Sequence, residues 1–360
     1  MTTESAINLS QGFANSPNTS TSVDSLTKSR LDTVRLQNIA LAYWHSAALM
    51  TAVELGLFTA VSKGACNNVE VASAIGISVT NAERLTTVCV ALDLLKSNEH
   101  GFFNAPDVER FLVEGAPGYA GQWMLFTKPQ WNDWGRLTEL IKNGKETVLG
   151  SYENFTVEDA RRYHDSTYSI GLGAGRRFVR HVDMSSRLKL LDIGGGSGCY
   201  SIVAAQAHPL LHATVFDLPP VAQVARGFIA RHGVSERVTT VGGDFTRDPF
   251  PQGNDIAIMA SNLPQYSREI IAQVIRKAFE SLTPGGEFHL LGEMLTDDRK
   301  GPSSPALWGL NEAIGGSTGV AHTEQECIDY LCAAGFTDVA VHSFIEGTLS
   351  RVCGIRSKKD

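Results

Sequence analysis

No stretch of this 360-residue chain is apolar for long enough to span a bilayer. Its first residues lack the basic and apolar regions of a secretion signal. No block of like charge stands out and the net charge is −7, so the broad basic face that a phosphate backbone requires is missing. Cysteine is sparse and scattered. Cys66, Cys89, Cys199, Cys327, Cys332 and Cys353 form no CxxC pair, and no histidine stands near them at zinc-ligand spacing. The expectation from these absences is a cytoplasmic protein with reduced structural thiols, no metal centre, no nucleic acid and no membrane. What is present is apolar residue enough, 43% of the chain, to bury full cores in two domains of ordinary size.

Residues 1–28 are rich in Ser, Thr, Asn and Gln with little periodic hydrophobicity, and read as a disordered tail. From Arg30 the spacing turns helical: Leu36, Ile39, Ala40, Tyr43, Ala47, Met50 and Leu55 fall near one face, and Gly56 is the expected stop. Helices are also expected over 68–76 and 80–95, the second with Thr80 as N-cap and Glu83 completing a capping box. A turn at 98–101 then separates two short apolar runs. Helix, helix and hairpin within 29–115 make a winged-helix arrangement. A DNA role does not fit it, because the second helix carries a single basic residue before its end, Arg84, where a recognition helix needs several donors. Helices so apolar need a partner, and a second copy of the chain, giving a homodimer, is the economical one. Residues 116–182 read as linker and pocket helices. They hold Trp123, Trp131 and Trp134, which either fill a core or wall a pocket over the C-terminal half.

From Leu188 the chain alternates strand and helix. LKLLDI, ATVFDL, VTTVGGDF, DIAIMAS and EFHLLGEML are strands, with helices between them, and a late pair, VAVHSFIEG and LSRVCGI, closes an antiparallel edge. This is a doubly wound α/β pattern over 183–360.

Chemistry in such a fold is expected at the strand ends. The turn after the first strand is Asp192, Ile193, Gly194, Gly195, Gly196, Ser197, Gly198. Glycines there let a ligand approach the backbone, and alone they serve a dinucleotide equally well. The acids discriminate. Asp192, just before the glycines, is a poor neighbour for a pyrophosphate and a good one for an ammonium group. Asp217 ends the second strand, beside Leu218, where a carboxylate can accept both hydroxyls of a ribose. Asp244 and Phe245 end the third, offering an acceptor for an adenine amino group and a ring for its face; Ser261 ends the fourth. Stations in this register match an adenosyl amino acid.

The segments LLDIGGGSG, VFDLPPV, VGGDF, LTPGGEF and AHTEQEC…AAGF resemble those of class I S-adenosylmethionine-dependent methyltransferases. Over about 30–356 the chain is similar to the dimeric plant and microbial O-methyltransferases. The resemblance implies an α/β fold: a C-terminal Rossmann-like methyltransferase domain with an N-terminal all-helical winged-helix dimerisation domain. It also implies S-adenosyl-L-methionine as cofactor, S-adenosyl-L-homocysteine as its product, a small-molecule acceptor and a homodimer.

The resemblance breaks at one place. Where that family carries a histidine general base, this chain reads Ser261, Asn262, Leu263, Pro264, Gln265, Tyr266, with Pro264 in the histidine's position. Proline cannot take a proton. Either another residue serves, with Glu293, His45 and His164 as candidates, or the acceptor loses no proton. A thioether sulfur is such an acceptor. Its cationic product would suit the aromatic faces of Trp123, Phe126, Trp131, Trp134, Tyr168 and Trp308. The chain is similar in size and layout to S-methyltransferases of 4-methylthio-2-hydroxybutyrate in dimethylsulfoniopropionate synthesis, whose acid substrate could pair with Arg176 or Arg177. An O-methyltransferase with a displaced base and a non-methylating cyclase or pericyclase stay open.

Overall fold

In the computed structural model, residues 31–358 are described; the tail expected over 1–28 lies outside them. By backbone contacts the chain divides after His45, inside helix α1 (Val34–Glu54). Up to that point the described residues are a short lead-in, 31–33, and the first half of α1, with Leu36, Ile39, Tyr43 and Trp44 exposed.

The unit from Ser46 onward begins with the end of α1, which Gly56 stops at a φ of 71°. Helices α2 (Leu57–Ser62), α3 (Asn68–Ile75) and α4 (Val79–Ala91) follow. Strands β1 (Leu95–Asn98) and β2 (Gly101–Asn104) form the hairpin, and α5 (Pro106–Phe111) comes after it. Leu57, Phe58, Val71, Cys89 and Leu95 are the centre of their shared core. The cap expected at Thr80 is at Ser78, whose hydroxyl accepts from the Asn81 amide at 3.2 Å. Ser78 is the last extended residue, so Thr80 is already inside the helix and no box with Glu83 forms. The far end is shorter than 80–95 as well: Leu92 is the cap, and Asp93 turns the chain at a φ of 60° so that Leu95 can start β1.

Short helices α6 (Gly121–Met124), α7 (Trp131–Gly135) and α8 (Leu137–Asn143) lead to the long α9 (Val157–His181). Thr156 caps α9 in a true capping box with Asp159. The remaining order is β3 (Lys189–Ile193), α10 (Cys199–Ala207), β4 (His212–Asp217), α11 (Pro219–Arg231), β5 (Val238–Gly242), β6 (Asn254–Ala260), α12 (Arg268–Ser281), β7 (Leu282–Gly292), α13 (Ser303–Gly315), α14 (Glu324–Ala334), β8 (Thr337–Ile345) and β9 (Leu349–Ile355).

The sheet runs β5-β4-β3-β6-β7-β9-β8, with β9 antiparallel to both its neighbours, β7 and β8, and the other pairs parallel. Strand side chains alternate between its faces. Leu190, Ile256 and Ile258 pack in the cluster with Phe178, Ile202 and Phe228 of α9, α10 and α11. Leu191, Ala257 and Met259 pack in the other, with Ile275 of α12 and Leu331 of α14. The winding order reverses between β3 and β6. A crevice therefore opens at their C-terminal ends, where a doubly wound sheet binds its ligands. Among the described residues no helix is long and apolar enough to cross a membrane.

Candidate active site

The turn from Gly194 to Gly198 leaves β3 at that crevice. Gly196 has a φ of 57°, and a Cβ there would lie 2.6 Å from the His164 ring, so a side chain is excluded twice over. Its amide donates to Asp217 Oδ2 at 2.8 Å, while the Leu218 amide donates to Oδ1 at 2.7 Å. Asp217 is thereby fixed at the end of β4 and bound to the turn. Asp192 is buried under the same turn, its carboxylate facing Gly195, and it accepts from Ser201 Oγ at 2.7 Å. Burial pushes both acids up to about 6, against the pull of those donors.

Beyond β5, Asp244 Oδ1 accepts from the amide and hydroxyl of Thr246 at 2.8 and 2.6 Å. The Lys277 ammonium braces this loop through the Phe245 and Asp248 carbonyls. Phe245 is buried and meets Tyr266 edge-on at 5.0 Å. At the end of β6, Ser261 is exposed and holds a φ of 60°, an uncommon conformation for a non-glycine residue. Asn262 next to it donates to both the Gly194 carbonyl, at 3.1 Å, and the Ala260 carbonyl, at 2.9 Å. Pro264 is buried in the 3-10 turn Leu263–Gln265, packed against Gly319. Tyr266 is anchored by His322, which donates from Nε2 to its carbonyl at 3.1 Å and takes the Tyr330 hydroxyl at Nδ1.

A second group of residues forms an aromatic cluster. Trp123 stacks on Phe126 at 5.2 Å, and Phe126 meets Tyr163 edge-on at 5.0 Å and Trp308 at 6.5 Å. Tyr152 and Phe155 each lie 6.3 Å from Tyr163. The next residue on α9, His164, links cluster and glycine turn, its ring 5.0 Å from Tyr163. Burial pushes His164 down to about 4, so it is uncharged at neutral pH. The charges that reach these phenols are carboxylates. Burial raises Tyr152, Tyr163 and Tyr266, and Glu312 raises all three further. Asp217 adds to Tyr163 and Tyr266, and Glu293 to Tyr163. Glu293, half-buried just past β7, is itself raised by burial.

Of the aromatic residues expected from sequence, Trp123, Phe126 and Trp308 come together. Trp131 and Trp134 stand half-buried on α7. Tyr168 points elsewhere: its ring packs on Phe228 of α11 at 4.4 Å and its hydroxyl pairs with His232. Arg177 is also placed elsewhere, its guanidinium donating to the Phe344 carbonyl and lying over that ring, while Arg176 is exposed. His45 is exposed on α1, in the unit before the division. Sequence reading missed Tyr152, Tyr163, Asn262, Tyr266 and Glu312. Asn262 and Tyr266 carried a signal, standing in the segment that replaces the family's base; the others sit in no motif.

Residues 143–337 match the O-methyltransferase domain family, and residues 37–114 match the O-methyltransferase dimerisation domain family. The chain is 31% identical over 332 residues to a 3-hydroxy-5-methyl-1-naphthoate 3-O-methyltransferase of Streptomyces sahachiroi, spanning 89% of this chain and 95% of that protein. It is 31% identical over 292 residues to an N,N-dimethyltransferase of Streptomyces rimosus, 78% of this chain and 83% of the other. The crystal structure of human N-acetylserotonin methyltransferase in complex with S-adenosylmethionine superposes on 92% of this chain with a TM-score of 0.78, at 22% identity and over all of that chain.

Proposed function

Starting from the O-methyltransferase family to which this chain belongs, we propose that it methylates the thioether sulfur of a small carboxylic acid, of the 4-methylthio-2-hydroxybutyrate type. It is an S-adenosylmethionine-dependent methyltransferase of a family that acts on small molecules. The bound cofactor supplies a methyl group on a sulfonium sulfur and leaves as S-adenosylhomocysteine.

The strand-end residues fit such a group. Each oxygen of Asp217 accepts one amide and keeps a second lone pair, which suits a pair of ribose hydroxyls. Asp192 supplies negative charge beneath the turn for an ammonium group. Asp244 has Oδ1 committed to Thr246, while Oδ2, 3.7 Å from the exposed Arg247 guanidinium, keeps acceptor capacity for an adenine amino group, with Phe245 beside it. The backbone of Gly194, Gly195, Gly196 and Gly198, with Leu218 and Ser261, completes the cradle.

The acceptor atom is inferred from the site's electrostatics. Burial and carboxylates hold Tyr163 and Tyr266 above the ordinary phenol range, and a phenolic acceptor placed among them would be held up in the same way. The family's base position holds a proline, which cannot take a proton, and the nearby histidine titrates at about 4. A thioether needs neither. Its sulfur lone pair forms the new S–C bond as the donor's C–S bond breaks; the positive charge passes from one sulfur to the other and no proton leaves. The chain then contributes proximity, alignment and exclusion of water. With Arg177 engaged elsewhere and the Tyr152 hydroxyl given to Tyr163, the neutral donors left for the acceptor's carboxylate are the Tyr163 phenol and the His164 imidazole.

The test is turnover of radiolabelled methyl donor against thioether, phenol and amine acceptors. We expect label to accumulate on thioether acids; label confined to phenols would replace this reading with oxygen methylation, the activity named for the Streptomyces sahachiroi relative.

A homodimer belongs to the same proposal. The dimerisation-domain match over 37–114 and the exposed Leu36, Ile39, Tyr43 and Trp44 support it. Sedimentation at micromolar concentration is expected to give twice the 38.9 kDa chain mass; a monomer would remove the dimer from the proposal.

A further inference from the structure

We infer that Glu312 is the counter-charge for a cationic centre in the acceptor pocket, and so a residue that decides which acceptors and products the pocket holds. The kind of cation, a sulfonium, rests on the thioether reading above; the counter-charge itself rests on how Glu312 is built into the fold.

Glu312 stands on α13 four residues after Trp308, so both side chains leave the same face of the helix. Trp308 joins the aromatic cluster through Phe126. Glu312 is only 8% exposed. Its Oε2 accepts from Ser317 Oγ at 2.6 Å, and that hydroxyl accepts in turn from the Gly319 amide at 3.0 Å, which orients the serine proton toward the carboxylate. The Ser317 amide closes on the Glu312 carbonyl at 3.1 Å. The acid is thus held in one place by its own loop. Yet among the described residues no lysine, arginine or histidine lies within ion-pair distance of it. Its charge also reaches the phenols of Tyr152, Tyr163 and Tyr266, which it raises.

A buried carboxylate with one hydroxyl partner is an expensive thing to keep. Here it is held by its own loop, on the helix face that carries Trp308, and left without a cation of its own. Aromatic faces attract cations through the ring quadrupole, and a fixed carboxylate among them attracts the same ligand. The combination distinguishes a neutral thioether from the sulfonium it becomes: the neutral form gains only apolar contact, the charged form gains both terms.

The experiment uses the full chain saturated with S-adenosylhomocysteine, and titrates it with trimethylsulfonium, and with dimethyl sulfide as the neutral control, while reading tryptophan fluorescence and calorimetric heat. The expected result is saturable binding of trimethylsulfonium that weakens about tenfold or more in Glu312→Gln, with the response to dimethyl sulfide unchanged. Glu312→Asp, which keeps the charge but shortens its reach, should fall between the two. Unchanged S-adenosylhomocysteine affinity and melting temperature show that the variants fold; if Glu312→Gln does not, Glu312→Asp decides alone. Equal trimethylsulfonium affinity in parent and variants overturns the counter-charge even if thioether turnover is found. Conversely, Glu312-dependent cation binding without thioether turnover upholds it while removing the thioether acceptor, leaving an amine as the nucleophile that becomes charged.

Discussion

Replacing Asp217 with alanine is expected to weaken S-adenosylmethionine and S-adenosylhomocysteine binding by about a hundredfold or more. Two hydrogen bonds to a charged carboxylate would be lost, each contributing about 1.5–3 kcal/mol. The same side chain also accepts the amides of Gly196 and Leu218, at 2.8 and 2.7 Å, so its removal loosens the turn that carries the rest of the cradle. Asp217→Asn preserves the shape and one acceptor, and should fall between alanine and the parent. Calorimetry that finds unchanged affinity in the alanine variant would displace the cofactor from the ends of β3 and β4. The binding should depend on pH with a definite sign. Asp192 and Asp217, at about 6 in the free protein, become neutral below that value and lose their attraction for a cationic ligand, so affinity should fall as pH drops from 7 to 5. The linkage to stability runs the other way. Between pH 6 and 4 the unfolded chain has already released protons that the folded one retains, so the ligand-free protein gains stability from these two acids as pH falls.

The alkaline limb of the rate profile carries the second large effect. With a thioether acceptor, kcat is expected to be level from about pH 8 to 10, because the nucleophile has no proton to release. A phenolic acceptor in the same pocket behaves differently. Its ordinary pKa of about 10 would be raised as those of Tyr163 and Tyr266 are, and the rate would climb about tenfold per pH unit, close to a hundredfold across that range. His164 stays uncharged throughout and contributes no step, since it titrates near 4. Glu312, at about 7, is ionised above pH 8 and adds none there. A rising alkaline limb with the best acceptor would end the thioether reading.

How much of this was legible in the sequence depends on how far apart the interacting residues lie. The strand-end stations were readable because each is set by its own strand and turn: β3, β4 and β5 place Asp192, Asp217 and Asp244 at one edge of the sheet whatever the rest of the chain does. The aromatic cluster was not, because α6, the short turn at Tyr152, α9 and α13 come together only in three dimensions. Tyr168 and Arg177 illustrate the difficulty. Tyr168 is five residues from Tyr163 on α9, about 140° around the helix, and so faces α11 instead. Arg177 is nearly in line with Tyr163 but about 21 Å further along the axis, where it meets β8. The Thr80 cap failed for a smaller reason: Ser78 offered the same hydroxyl two residues earlier, and a pattern that fixes a helix leaves its first residue uncertain by about that much.

Asn262 joins two parts of the crevice that chain order keeps apart. One amide group holds the carbonyl of Gly194, in the turn after β3, and that of Ala260, where the chain enters the segment carrying Pro264. Ordering of either segment is therefore shared with the other. Occupation on one side lowers the entropy that remains to be lost on the opposite side, so the two ligands should bind with positive cooperativity. Thermodynamic reciprocity then requires that each strengthen the other by the same factor.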